Sequence, residues 1–140
     1  MVKNHIQRIA APRSWKIERK NYKFITRPSP GAHSLDYGLS INTVLKEILK
    51  VADTTKESKY LLNNKDVTVN GKPIHDVHHS VGLMDVVSIP KLSLSYRVVI
   101  NKRGMLSFVT VTDADLMVFK VKRKYTIKGG KKMLTLSNGA

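Results

Sequence analysis

The clearest hydrophobic period in the chain begins at Ile41. Apolar residues there recur at intervals of three and four, which places them on one stripe of a helix; they are Ile41, Val44, Leu45, Ile48 and Leu49. Ser40 directly precedes the stripe and is a favoured N-cap residue. Thr54-Thr55-Lys56-Glu57 follows and predicts a capping box at the start of a second, short helix that ends at Leu62. We therefore expect two consecutive helices.

Beyond residue 62 the pattern changes to short extended segments. Val67-Thr68-Val69 alternates as a strand does, and Asn70-Gly71 predicts a hairpin turn because both turn positions favour positive φ. Pro73 cannot donate a backbone hydrogen bond, so the returning strand belongs at a sheet edge. Further strands are predicted over 86–89, 96–100, 105–112 and 117–122.

The first 35 residues show no sustained period, and prolines interrupt them. They predict an extended basic arm that becomes ordered on a partner. Trp15 lies beside Arg13 and Lys16, so its ring could stack on an unpaired base while the cations meet phosphates. Trp15 could equally anchor the arm to the protein core, and the sequence leaves both alternatives open.

Charge narrows the class of partner. The 140 residues include 25 Lys or Arg against 10 Asp or Glu, a formal charge of +15, and no Cys. Residues 1–35 hold eight basic and one acidic residue, net +7, and residues 116–140 hold seven basic and none acidic, again +7. Two basic ends flanking a nearly neutral middle favour a polyanion, with nucleic acid first and an anionic membrane as the rival. No apolar run reaches membrane-spanning length, so an intracellular, soluble protein is expected.

The candidates for metal or catalytic chemistry are weak. His75, His78 and His79 fall in a loop after the hairpin, and Asp76 is the one carboxylate among them, which does not make a four-ligand structural site. Asp113 and Asp115 are better interpreted as a turn than as a metal pair. The run 129–132, Gly-Gly-Lys-Lys, lacks the spacing of a phosphate-binding loop and predicts a cationic hairpin tip. We predict no enzyme activity, no metal and no cofactor, and no small-molecule substrate or membrane as partner.

Several stretches carry a family resemblance. The segment 58–74, SKYLLNNKDVTVNGKPI, resembles the small RNA-binding module named after bacterial ribosomal protein four, in which the second helix and the hairpin form a basic face. In order and spacing, HIQRIAAPRSW (5–15), RPSPGAH (27–33) and GLMDVVSI (82–89) resemble the archaeal and eukaryotic small-subunit ribosomal protein of the S-four-e family. Members usually continue into a C-terminal SH3-like domain, which the 140 residues do not include.

The resemblance implies an α+β fold in three parts. These are a basic N-terminal arm over 1–36, a helix-helix-hairpin RNA-binding module over 37–93, and a β-rich central domain over 94–140. It implies a structural constituent of the small ribosomal subunit in the cytoplasm, with ribosomal RNA and neighbouring ribosomal proteins as partners. The alternative is the RNA-targeting module of an RNA-modifying enzyme or a tRNA synthetase.

The predicted RNA-binding residues fall in three groups. The arm contributes Lys3, Arg8, Arg13, Trp15, Lys16, Arg19, Lys20, Lys23 and Arg27. The module contributes Lys56, Lys59, Lys65 and Lys72, which the helix and the hairpin should bring to one face, and the C-terminal region contributes Lys122, Arg123, Lys124, Lys131 and Lys132. Lysine dominates the module, so contacts to the RNA backbone are expected there rather than base reading.

Overall fold

The N-terminal segment is folded onto the rest of the chain. The computed structural model describes residues 4–137 and pairs β1 (His5–Gln7) antiparallel with β2 (Phe24–Thr26), with a 3₁₀ turn at Arg8–Ala10. Trp15 is 2% exposed, and its indole N–H donates to the Leu35 carbonyl at 3.0 Å. The prediction of a free extended arm is therefore wrong, because apolar residues of this segment enter the core.

Both predicted helices are present, the first with a local irregularity. β3 (Gly38–Ser40) leads into α1 (Ile41–Thr43), which continues as a single π-helical turn over Val44–Ile48. The Ser40 side chain accepts a hydrogen bond from the Thr43 N–H, as the sequence predicts for an N-cap. The apolar stripe faces inward, with Ile41, Val44 and Leu45 fully buried.

The second helix, α2 (Thr55–Asn63), begins with the predicted capping box. The Thr54 hydroxyl accepts from the Glu57 N–H, and the Glu57 carboxylate accepts from the Thr54 N–H and, at 2.7 Å, from the Asp53 N–H. These bonds, the Asp53 one above all, favour the ionised carboxylate and lower the pKa of Glu57 from its ordinary value.

One antiparallel sheet holds most of the remaining strands. β4 (Thr68–Val69), β5 (Lys72–Pro73), β7 (Val86–Ile89), β8 (Leu94–Ile100) and β9 (Leu106–Thr110) lie in the order β5-β4-β7-β8-β9. The predicted hairpin joins β4 and β5 with positive φ at both turn residues, 51° and 74°, and the proline-containing strand is at the edge. β6 (Ser80–Gly82) pairs separately with β3.

The sheet crosses the predicted boundary between residues 93 and 94, because β7 and β8 are hydrogen-bonded neighbours on either side of it. The core collects side chains from the N-terminal segment, both helices and this sheet, among them Trp15, Leu45, Leu62, Val87 and Leu106. The architecture is mixed α+β. No helix within residues 4–137 is long and apolar enough to cross a membrane.

The last strands form a separate two-stranded ribbon. β10 (Val121–Thr126) pairs with β11 (Lys132–Leu136), and Gly129 and Gly130 turn the chain with φ of 97° and 75°. The cationic hairpin tip is confirmed, whereas the strand predicted over 117–122 is wrong for residues 117–120. The ribbon is almost entirely exposed. Because few of its positions are buried, its sequence lacks the apolar alternation that would mark where its strands begin and end.

Candidate nucleic-acid interface

Arg8 is a structural residue rather than a surface cation. Its side chain is 3% exposed and forms a two-point ion pair with the Glu47 carboxylate at 2.7 and 2.8 Å. The guanidinium also donates to the Tyr22 and Glu18 carbonyls, both at 3.0 Å. Its predicted contact with RNA is therefore wrong, because the side chain is buried and all three guanidinium nitrogens donate within the protein. The same correction applies to stacking by Trp15, which is buried.

Arg19 holds the arm in shape. Its guanidinium donates to the carbonyls of Ile9, Ala11 and Pro12 at 3.2, 3.0 and 2.8 Å. These three bonds close the segment between the 3₁₀ turn and Arg19 into a compact loop. The remaining cations predicted in the arm, within the part that the structure describes, are all exposed; they are Arg13, Lys16, Lys20, Lys23 and Arg27. Lys3 lies outside the described residues.

The arm and the first helix enclose a groove of about 650 Å³ with a cationic lining. Five basic residues line this basic groove, namely Arg13, Lys16, Arg19, Lys46 and Lys50. The two acidic residues of the lining are Glu18 and Glu47, and Glu47 is already paired with Arg8. A row of cations along a concave surface attracts a phosphate backbone.

Lys46 and Lys50 were not predicted to bind RNA. The helical pattern places both on the polar face of the first helix, where side chains usually face solvent and have no specific partner. They join the groove because Arg8 and Glu47 hold the arm against this helix, and Lys50 ends the helix with a left-handed φ of 53°. Sequence spacing alone carries no signal for this juxtaposition.

The four module lysines are exposed but lie on different elements. Lys56 and Lys59 are on α2, Lys65 is in the following turn with a φ of 58°, and Lys72 is on the edge strand β5. Lys72 lines a cavity with His33, Asp76 and His79 that the other three do not line. A single shared face for the four lysines stays a prediction.

The ribbon presents cations on both of its faces. Register pairs Lys124 with Leu134 on one face and Tyr125 with Met133 on the other. The Arg123 guanidinium lies 5.9 Å from the centroid of the Tyr125 ring, within the range of a cation–π contact. All five predicted cations of this region are exposed. Tyr125, which the sequence prediction omitted, adds an aromatic surface beside them.

A buried carboxylate connects the hairpin to the loop after β2. Asp85 is 3% exposed and accepts from the Asn70 side-chain amide, the Gly82 N–H and His33 Nε2, each at 2.8 Å. Burial by itself raises the pKa of Asp85, but the hydrogen bonds from His33, Gly82 and Asn70 outweigh it and the pKa lies below its ordinary 3.8. This network fixes the turn at Asn70 and Gly71, which leads into Lys72 on β5.

Acid is expected to lower the free energy of unfolding over two pH ranges. Burial lowers the pKa of His79 from its ordinary 6.5, although the Asp85 and Asp76 carboxylates oppose the change. The unfolded chain therefore takes up this proton first, and stability falls as the pH drops below 6.5. Asp85 and Glu57 have lowered pKa values, so their contribution is present at neutral pH and is lost as the pH falls below their ordinary 3.8 and 4.5.

Urea unfolding midpoints measured from about pH 7.5 down to about pH 3 check this expectation, because that range covers both pH regions in which stability should fall. H79Q should remove the upper step, because its side chain makes no proton-linked contribution there. H75Q replaces an exposed histidine of the same loop and is the matched control. A wild-type profile in H79Q would contradict the assignment.

Within residues 4–137, no group of three or more His, Asp or Glu side chains is arranged to hold a metal ion. His78 instead bonds the Arg27 carbonyl through Nδ1 at 2.9 Å.

Comparison with known proteins gives matches along almost the whole chain. The model of the RS4NT (NUC023) domain matches residues 2–36, and the model "Ribosomal family S4e" matches residues 92–140. Small ribosomal subunit protein eS4 of Methanocella arvoryzae is 44% identical over 99% of this chain, and that of Nanoarchaeum equitans is 38% identical over 99%.

A solved structure is also similar. The crystal structure of the 30S ribosomal protein S4e from Thermoplasma acidophilum superposes with a TM-score of 0.61 at 31% identity, over 75% of this chain and 55% of that one. The chain spans about three fifths of the length of the curated relatives it matches, 59% and 60% for the two named above.

Proposed function

Because the chain belongs to the S4e family of small-subunit ribosomal proteins, we propose that it binds ribosomal RNA and stabilises the folded RNA within the subunit. The observation that carries this proposal is the basic groove, where the folded arm places its cations beside Lys46 and Lys50 of the first helix. The relatives are named as ribosomal proteins, which favours this role over the RNA-targeting module of a modifying enzyme or synthetase.

Basic residues at three places on the protein would contribute to RNA binding. The basic groove, the exposed lysines of α2 and the hairpin, and the basic ribbon would each displace counterions from phosphates. The groove differs from the other two because buried contacts hold its walls, so it would set the position of the protein on the RNA. The ribbon and the module lysines would add affinity with little sequence preference. We also propose that the chain contacts neighbouring ribosomal proteins and that it is located in cytoplasmic ribosomes.

The test is the salt dependence of binding to a small-subunit ribosomal RNA fragment. We expect the association constant to fall with a log–log slope equivalent to about six or more neutralised phosphates. K16Q and K50Q in the groove should each reduce the slope by about one unit or less and weaken matched and scrambled RNA alike. The same result is expected for alanine replacements of Lys56, Lys59, Lys65 and Lys72.

K102Q is the matched control, because Lys102 is also exposed but lies in the β8–β9 turn outside the groove. Its slope should stay that of the wild type. A wild-type slope equivalent to about one or two phosphates would overturn the proposal. Sedimentation of the protein with small subunits through a low-salt gradient is the corresponding test in the particle.

A further inference from the structure

The chain contains two Asn-Gly pairs, Asn70-Gly71 and Asn138-Gly139, and this dipeptide is prone to loss of the asparagine amide. The glycine backbone nitrogen attacks the asparagine Cγ atom, because glycine has no Cβ atom to obstruct the approach. The Cγ–Nδ2 bond breaks, and ammonia leaves with the proton of the attacking nitrogen. Water then opens the resulting five-membered succinimide to aspartate or isoaspartate.

The backbone at Asn70 opposes this ring closure in the folded protein. Its φ of 51° lies in the left-handed region, where ψ is about +47°. At that ψ the Gly71 nitrogen lies nearly opposite the Asn70 Cβ atom about the Cα–C bond, whereas the five-membered ring requires the two atoms to be nearly eclipsed. The turn must therefore open before the nitrogen can reach Cγ.

Hydrogen bonds also hold the Asn70 side chain in place. Its amide donates to Asp85 Oδ1 at 2.8 Å, and its carbonyl oxygen accepts from the Val86 N–H at 2.9 Å. The Asn70 N–H donates to the Val86 carbonyl at 2.8 Å. Asp85 is itself held by His33 and by the Gly82 N–H. Rotation of the side chain toward the attacking nitrogen breaks both side-chain bonds, which opposes the reaction further.

The products of the reaction do not fit the same place. Aspartate at position 70 puts a carboxylate where the amide donated to Asp85, which is 3% exposed, so two like charges would lie at hydrogen-bond distance. Isoaspartate adds a carbon atom to the main chain of a two-residue turn, and the length of that turn sets the register between β4 and β5. Either product should destabilise the native turn.

We propose that Asn70 is a deamidation site that the folded protein closes and unfolding opens, and that deamidation there destabilises the native fold. Chains that remain unfolded are converted to a form that folds less well, whereas folded chains keep the amide. The inference does not depend on RNA binding, so it stands or falls separately from the proposed function.

The test follows amide loss at both Asn-Gly pairs by peptide mass spectrometry, with the full chain kept at mildly alkaline pH over a series of urea concentrations. We expect Asn70 to react at least about tenfold more slowly in the folded protein, because the turn and two side-chain hydrogen bonds must open first. Its rate should rise through the unfolding transition.

Asn138 is the internal reference, because it too precedes a glycine and lies outside the residues that the structure describes. In the unfolded chain the two asparagines should react at comparable rates. A rate at Asn70 that does not change across the unfolding transition overturns the proposal. So does an Asn70 that stays intact in the unfolded chain while Asn138 reacts.

Two variants test the effect of the product on folding. N70D makes the aspartate product directly and should lower the urea midpoint. N70D/D85N exchanges the carboxylate and the amide, which restores a donor opposite an acceptor and should recover part of the loss. N63D is the control, because it makes the same chemical change at an exposed residue of α2 and should shift the midpoint much less. A wild-type midpoint in N70D overturns the proposed effect on the fold.

Discussion

Replacing Glu47 with alanine is expected to lower the free energy of unfolding by about 3–5 kcal/mol. Glu47 is 24% exposed, but its partner Arg8 is 3% exposed, so the substitution leaves a charged guanidinium inside the protein with only two carbonyl partners. The loss should be measured as a shift in the urea midpoint with an unchanged slope. Because this ion pair holds the arm to the first helix, the basic groove should open at the same time.

The matched control is E18A. Glu18 is exposed, and its side chain makes one long hydrogen bond, 3.4 Å from Asn21, while the carbonyl that accepts from Arg8 is unaffected. We expect a change within about 0.5 kcal/mol. The double variant R8M/E47L removes both charges and should recover much of the lost stability. If it is as unstable as E47A, the buried charge is not the cause.

Gly82→Ala is expected to cost about 3 kcal/mol of stability. A Cβ atom at position 82 would overlap the imidazole ring of His33. The ring cannot move aside without breaking its 2.8 Å bond to Asp85, which is buried and also accepts from the Gly82 N–H. Thermal or urea unfolding measures the effect directly, and the acid step assigned to Asp85 should change with it.

Gly31→Ala provides the comparison, because the nearest atom to a Cβ there is the Ser80 Cβ at 3.8 Å, an ordinary contact. Its stability should stay within about 0.5 kcal/mol of the wild type. Removing the ring with H33A in the G82A background should make the two changes clearly less than additive. Strict additivity would show that the overlap with His33 does not cause the loss.

The features that the sequence predicted correctly depend on neighbours only a few residues apart. Ser40 caps the first helix through Thr43, Thr54 and Glu57 close the capping box, and Asn70-Gly71 forms its turn. Each involves short-range hydrogen bonds or a local φ preference, so the residue types are sufficient evidence. The π-helical turn at Val44–Ile48 was not predicted, because the apolar stripe is nearly the same with one extra residue in the turn.

The candidate site was predicted less well than the fold. Sequence patterning identified the cations of the arm, but it could not separate Arg8, which is buried and paired inside the protein, from Arg13 and Lys16, which are exposed and line the groove. The pattern also gave no indication that Lys46 and Lys50 line the groove. A charged residue is exposed in most proteins, so pattern alone predicts exposure even for the rare one that is buried and paired.

The sequence by itself determined the two capped helices, the Asn-Gly hairpin, the two basic ends and the family to which the chain belongs. Only the tertiary structure decided that the N-terminal segment packs onto the core, that Arg8 pairs with Glu47 39 residues away, and that His33 meets Asp85 52 residues away. The physical reason is the range of the interactions. Helix caps and turns are fixed within a few residues, whereas the partner of a buried charge or ring depends on how distant elements pack together.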